Sequence, residues 1–287
     1  MLNSHQIDFY NLNGYLSIDN VYSDSQIKSL SDITNEFVEK SRLVTEENDM
    51  FALESNHSAN NPRLTRIKSP HKFHSIYEQA MKDDKMLDIL QDLIGKDIRI
   101  QGTKLNMKMP GGGRQVEWHA DWGHYPHTND DLLAVGISLD DSTKENGCLI
   151  VMPRSHKWTA TSHHEDGFFV GAVDIDSIDM QKAVHVTSKA GGISIHHVRT
   201  LHGSAPNMSD KPRRLLLLEF SAADAFPLTG LSMSWDEWNK QMVRGKPTIQ
   251  PRLEKVPVFF PQPLKSEHGS IFGVQSNLKK SHFSKSK

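Results

Sequence analysis

From residue 97 onward the chain is written in short runs of alternating polar and apolar residues. Lys104-Leu105-Asn106-Met107-Lys108-Met109 has period two, and Ile98 to Gln101 precedes it. Val116 to Asp121, Leu132 to Leu139, Cys148 to Met152, Val184 to Val186, Gly192 to His196 and Leu215 to Phe220 follow at similar length. Gly, Pro, Asn and Asp punctuate them, most densely at Pro110-Gly111-Gly112-Gly113. A strand sends successive side chains to opposite faces. Many short strands in succession, broken by turn residues, predict an antiparallel sandwich or barrel.

The residues before 97 have another period. Residues 4–12 predict a short helix, Asn13-Gly14 a turn, and Tyr15 to Ile18 a strand. Ser23 or Asp24 caps a helix to about residue 41, with Ile27, Leu30, Ile33, Phe37 and Val38 at helical spacing. Residues 42–62 are polar and aperiodic and predict a loop that orders over a ligand. Ser75 to Ile94 predicts one further helix, closed by Gly95. Residues 122–131, 140–147 and 154–183 read as loops or rims. The Lys- and Ser-rich residues 279–287 read as a disordered tail. With no internal repeat and no linker, one domain over 1–287 is expected. It divides into a helical part at 1–96, a β core at 97–222 and a C-terminal extension at 223–287.

Composition limits the partners. The formal net charge of -2 gives no global field for nucleic acid or an anionic membrane. The apolar fraction of 37% is on the low side and the charged fraction of 24% near average for a globular protein, and 287 residues are enough to bury a sizeable core. Cys148 is the one cysteine, so no intramolecular disulfide forms, which fits a reducing cytosol. The start Met-Leu-Asn-Ser-His-Gln-Ile-Asp lacks the basic and apolar regions of a signal peptide. No apolar run approaches the roughly 20 residues of a membrane helix. A cytoplasmic enzyme acting on a small molecule is the expectation.

The chemistry concentrates in two stretches. In Gln115-Val-Glu-Trp-His-Ala-Asp121, His119 and Asp121 stand two apart, so on a strand both point to one face. Leu201-His202-Gly203-Ser204 offers a third ligand. Two His and one carboxylate on one side of a metal form the facial triad of non-haem Fe(II) oxygenases. Trp118 and Trp122 would limit water beside it. Arg213 lies eleven residues after His202, and Gly203, Pro206, Asn207 and Asp210 between them suit a hairpin. The hairpin would set Arg213 beside His202, where its guanidinium can hold a carboxylate through two parallel hydrogen bonds. Ser204 can add a hydroxyl. His196 and His197 are strand neighbours facing opposite ways, and neither has an Arg eleven residues on. They read as structural or as supports for the ligands. His156 reads as part of the turn Met-Pro-Arg-Ser-His-Lys.

Taken together, Trp118-His-Ala-Asp121, Asn146-Gly-Cys-Leu-Ile-Val-Met-Pro-Arg-Ser-His156 and Leu201-His-Gly-Ser-Ala-Pro-Asn207 with Arg213 resemble the phytanoyl-CoA dioxygenase family of Fe(II)/2-oxoglutarate oxygenases. Asn13-Gly-Tyr-Leu16, Arg66-Ile-Lys-Ser-Pro-His71 and Gly191-Gly192 also fit. The likeness spans roughly residues 5–225 and specifies the family rather than a substrate. It implies a double-stranded β-helix, or jelly-roll, core with helices on one side. It implies Fe(II) on His119, Asp121 and His202, with 2-oxoglutarate and O2 as co-substrates and succinate and CO2 released. It implies Arg213 on the distal carboxylate of 2-oxoglutarate with Ser204 assisting, and Asn106 and Ser138 as further contacts. Gly136 falls where many members have Trp, so that wall must be built otherwise. Related halogenases lack a carboxylate at the position of Asp121, and its presence here predicts hydroxylation.

The loops and strand expected around the site carry Arg63, Arg66, Lys68, Lys108, Arg114, Tyr125 and several His. This cation-rich set suits a small charged substrate better than an acyl chain. Arg66, Lys108, Tyr125 and Arg154 are the candidate substrate contacts. Family members that hydroxylate 2-aminoethylphosphonate next to phosphorus match that description best. The alternatives are a hydroxylase of an amino acid or natural-product intermediate, a jelly-roll binding protein without catalysis, and a zinc hydrolase, which leaves Arg213 unexplained.

Overall fold

The computed structural model describes residues 1–159, 161–176, 178–259, 271–276 and 278–283. Helix α1 (Ser4–Asn13) ends at Gly14, whose φ of 78° is left-handed; a Cβ there would lie 2.4 Å from the His156 ring. His156 packs against that turn, and its Nε2 donates to the Asn11 carbonyl at 3.2 Å. Strand β1 (Tyr15–Ile18) follows, then α2 (Asp24–Lys40), capped by Ser23 through a reciprocal bond with Gln26. The 42–62 segment is more ordered than expected, since β2 (Phe51–Leu53) pairs with β3 (Leu64–Lys68). A three-residue strand is too short to give a period. The expected single helix over 75–94 is two, α3 (Ser75–Met81) and α4 (Asp84–Ile94). Asp83 breaks it by capping the second, its carboxylate accepting from the Met86 N–H.

Strand β4 (Ile98–Lys108) runs unbroken. At its middle, Gly102 leaves room for the Glu219 carboxylate, which a Cβ would approach to 2.7 Å. The remaining strands are β5 (Val116–His119), β6 (Leu132–Ser138), β7 (Leu149–Val151), the two-residue pair β8 (His164–Glu165) and β9 (Phe168–Phe169), β10 (Val184–Val186), β11 (Ile193–His197), β12 (His202–Ser204) and β13 (Arg213–Ala222). After them come α5 (Trp235–Lys240), β14 (Met242–Arg244) and α6 (Ile271–Gln275).

Among the described residues β8 and β9 pair only with each other, and the other strands form two facing antiparallel sheets. The larger has the order β1-β11-β6-β13-β4-β3-β2 with β14 also on β4; the smaller has the order β10-β7-β12-β5. This is the expected jelly roll with helices on one side. Alternation along β13 and β4 sorts their side chains. Leu105, Met107, Leu216, Leu218 and Phe220 bury against α2, α3 and α4 in the main core. Asn106, Lys108, Arg213, Leu215 and Glu219 face the smaller sheet. The main core and the site are thus two faces of one sheet. No helix among the described residues is long and apolar enough to cross a membrane.

Candidate active site

A cavity of about 290 Å³ lies between the two sheets. His119, the last residue of β5, and His202, the first of β12, are direct register partners, and their rings lie 4.1 Å apart. Asp121 joins them by another route than expected. The chain leaves the strand at Ala120, and Asp121 opens a single 3-10 turn, Asp121–Gly123. Its carboxylate still lies 3.7 Å from His119 Nε2. One ligand atom from each of the three side chains lies within 4.8 Å of the others, and all three residues are buried.

Both imidazoles are prepared in the same way. His119 Nδ1 donates to the Glu117 carbonyl at 2.8 Å, and His202 Nδ1 donates to the Thr200 carbonyl at 2.9 Å. Each Nε2 therefore carries a lone pair toward the cluster. Burial, followed by neighbouring imidazoles, holds both rings neutral; His202 is pushed down to about 3. Burial opposes a charge on Asp121, but the His196 hydrogen bond prevails and keeps its carboxyl well below the usual range. Two neutral nitrogens and an ionised oxygen are the donor set of a divalent metal.

Arg213 reaches the cavity by a different route from the expected hairpin. β12 belongs to the smaller sheet and β13 to the larger, so His202 and Arg213 face each other across the sandwich. Arg213 pairs in register with Lys108 on β4. Its guanidinium is buried, donates from one terminal nitrogen to the Gly147 carbonyl at 2.7 Å, and leaves Nε without a partner. Burial pulls it down to about 10, so it stays charged at neutral pH. Lys108 Nζ donates to Ser204 Oγ at 2.8 Å and to the Ala205 carbonyl. Among the described residues neither cation has a carboxylate partner. An orphaned guanidinium N–H beside a buried ammonium and a hydroxyl calls for an anion such as a carboxylate.

The other expected contacts divide. Arg66, Asn106 and Tyr125 line the cavity, and Arg66 Nε donates to Asn106 Oδ1 at 3.0 Å. Burial and then the Asp121 charge keep the Tyr125 phenol protonated far above its usual range. Ser138 does not line the cavity, because its hydroxyl is engaged by Ser188 at 2.7 Å. Arg154 is exposed, in a left-handed turn away from the cavity. Leu215 and Ser194 fill the space beside Gly136. Trp118 and Trp122 do not face the site; they pack in separate apolar clusters outside it, Trp122 donating to the Pro257 carbonyl.

Three further features complete the cavity; the sequence flags only His196, as a support, and the other two carry no readable signal. His196 faces inward, its Nε2 3.2 Å from the Asp121 carboxylate, where only its strand parity hinted at a role. Glu219 enters the cavity in an ion pair of 2.6 Å with Lys104. Ile271 and Phe272 of α6 form part of the lining. The tail prediction is corrected for residues 279–283. Ser281 and the His282 N–H bond the Glu117 carboxylate, and Phe283 stacks on Trp118. Residues 284–287 lie outside the described residues.

Comparison with known proteins agrees with this geometry. Residues 10–215 match the family model of phytanoyl-CoA dioxygenase (PhyH). The chain is 33% identical over 276 residues to the "Probable alpha-ketoglutarate-dependent hypophosphite dioxygenase" of Stutzerimonas stutzeri, covering 94% of this chain and 96% of that one. It is 25% identical over 221 residues to the methylphosphonate hydroxylase of Gimesia maris, covering 77% and 81%. The iron-bound crystal structure of EctD from S. alaskensis superposes with a TM-score of 0.68 at 21% identity, over 89% of this chain and 88% of that one. The chain belongs to the phytanoyl-CoA dioxygenase family and is an Fe(II)- and 2-oxoglutarate-dependent dioxygenase with a jelly-roll core.

Proposed function

We propose that this dioxygenase oxidises a small phosphorus oxyanion, placing a hydroxyl on phosphorus itself or on the carbon bonded to it. Arg66 is the observation that carries the reading. It is a buried guanidinium on the cavity wall whose hydrogen-bond partner is the neutral Asn106, and it forms no ion pair among the described residues. A buried cation of that kind is relieved by an anionic ligand. The relatives named for hypophosphite and methylphosphonate supply the class of anion.

In this reading His119, Asp121 and His202 hold the iron, and Arg213, Lys108 and Ser204 hold the distal carboxylate of 2-oxoglutarate. Fe(II) with 2-oxoglutarate and O2 supplies the oxidant, with the balance R–H + 2-oxoglutarate + O2 giving R–OH, succinate and CO2. The chain's own residues orient and exclude. Arg66 and Asn106 fix the oxyanion so that one P–H or C–H bond faces the cluster. Tyr125 keeps its proton and stands beside Asp121. No side chain has to act as a base. An aminoethyl group would need a carboxylate to receive its ammonium. Asp121 and Glu219 are already engaged by His196 and Lys104. Hypophosphite or methylphosphonate is therefore favoured over 2-aminoethylphosphonate.

The test is succinate formation by the iron-loaded enzyme with each of these three compounds, an amino acid panel and ectoine, with products followed by phosphorus NMR. Stimulation by one phosphorus compound, with one oxidised product per succinate, is expected. Stimulation by an amino acid or ectoine alone would overturn the assignment.

A further inference from the structure

We propose that the C-terminal segment, residues 271–276 and 278–283, is a built wall of the substrate chamber, and that Phe272 sets the size of the group that can be oxidised. The inference rests on the phosphorus-oxyanion reading and adds a size limit to it. The segment is fastened to the strand that carries the candidate ligand His119. Gln275 Oε1 accepts from the Glu117 N–H at 3.0 Å, and Gln275 Nε2 donates to the Gly171 carbonyl at 3.0 Å and the Glu117 carbonyl at 3.4 Å. That same Glu117 carbonyl accepts from His119 Nδ1. The Glu117 carboxylate is buried and takes hydrogen bonds from Ser281 Oγ and the His282 N–H. A buried carboxylate needs such donors, so Glu117 holds the segment down.

What the segment presents inward is apolar and broad. Phe272 lines the cavity with two guanidiniums over its ring, Arg66 5.4 Å and Arg114 5.7 Å from the ring centre. A cation over a ring face gains from the ring quadrupole and loses freedom. Phe272 therefore positions Arg66, the proposed anion grip, and closes the space beyond it. A compact anion fits beneath the ring, and a bulky substituent on phosphorus meets it.

The full-length Phe272→Ala enzyme tests the size limit. Its kcat/KM for propyl- or phenylphosphonate relative to methylphosphonate should rise at least about tenfold over wild type. Titration of phenylphosphonate into the metal-free proteins should show binding to Phe272→Ala and none to wild type. An unchanged ratio and unchanged binding would overturn the proposal. Ser281→Ala and Glu117→Gln test the fastening through two readouts that need no phosphorus substrate. Each should raise uncoupled 2-oxoglutarate decarboxylation several-fold and speed tryptic cleavage after Lys279 or Lys280. Wild-type rates of both in both variants would overturn the wall. Wild type that ignores every phosphorus compound, while the Ser281 and Glu117 effects persist, would sink the substrate reading alone.

Discussion

His196 Nε2 stands 3.2 Å from Asp121 Oδ2, and its ring lies 4.1 Å from that of His202. One imidazole thus fixes the carboxylate and packs against a second candidate ligand. A hydrogen bond to a charged group contributes about 1.5–3 kcal/mol, and loss of a partner that orients a metal ligand typically weakens metal binding by about 10–100-fold. His196→Phe should weaken Mn(II) or Fe(II) binding by that range, measured calorimetrically under anaerobic conditions. His196→Gln, whose amide N–H can still donate, should restore most of it. Equal affinity in both variants and wild type would reduce His196 to packing.

Lys108 combines a function with a cost in stability. Burial first and Arg213 second press its ammonium well below the usual lysine range. The unfolded chain keeps that proton to higher pH than the folded chain. Its contribution to stability is therefore lost as pH falls through the folded value and is complete only above the unfolded one. Lys108→Met should remove the pH-dependent part of this cost, offset by the two acceptors it leaves unpaired, Ser204 Oγ and the Ala205 carbonyl. It should also raise the Kd for 2-oxoglutarate, because one of two cations near the carboxylate is gone. In wild type that Kd should rise with pH across the lowered range of Lys108, and in the variant the slope should vanish. A variant that binds 2-oxoglutarate like wild type would remove Lys108 from the co-substrate site.

The candidate ligands and Arg213 were legible from residue type, from the two-residue spacing of His119 and Asp121, and, for His202 and Arg213, from the family resemblance. The route between them was not. Eleven residues with turn formers look the same whether they join two strands of one sheet or cross a sandwich from β12 to β13. Local sequence cannot distinguish these, and here Arg213 meets the cavity from the opposite wall. Asp121 shows the same limit, since it reaches the cluster from a turn that no alternation predicts. The C-terminal wall was illegible for another reason. Lys and Ser around 279–283 read as solvated tail, and the partner that orders them, the Glu117 carboxylate, lies more than 160 residues away in sequence.

Acid should weaken the fold before it touches the carboxylates alone. Burial pushes His127 and His163 down to about 4, and lowers His197 as well. Unfolded imidazoles take up protons near 6.5, while these folded ones refuse them until far lower. Stability from these sites is present above 6.5 and is lost as pH falls toward 4. The urea midpoint of the metal-free protein should drop between pH 7.5 and 5.0. His127→Phe, which removes one buried ring nitrogen without a partner, should lessen the drop. Coincident midpoints at the two pH values would refute it.

Asp121 separates catalysis from mere binding. Asp121→Ala keeps both imidazoles, Arg213 and the cavity, but removes the one anionic donor of the cluster. A site built from two neutral nitrogens holds a divalent cation far less well, because ligand charge offsets the metal's dehydration. Turnover of 2-oxoglutarate should fall at least about a thousandfold, and metal binding should fall with it. The metal-free variant should be less stable than wild type at neutral pH, because the contacts that keep this carboxyl ionised outweigh its burial and are lost with it, and circular dichroism checks that it still folds. Added chloride should not restore hydroxylation. Residual turnover near wild type would mean that the three side chains are not the metal site, and a non-catalytic jelly roll would then have to be reconsidered for this chain.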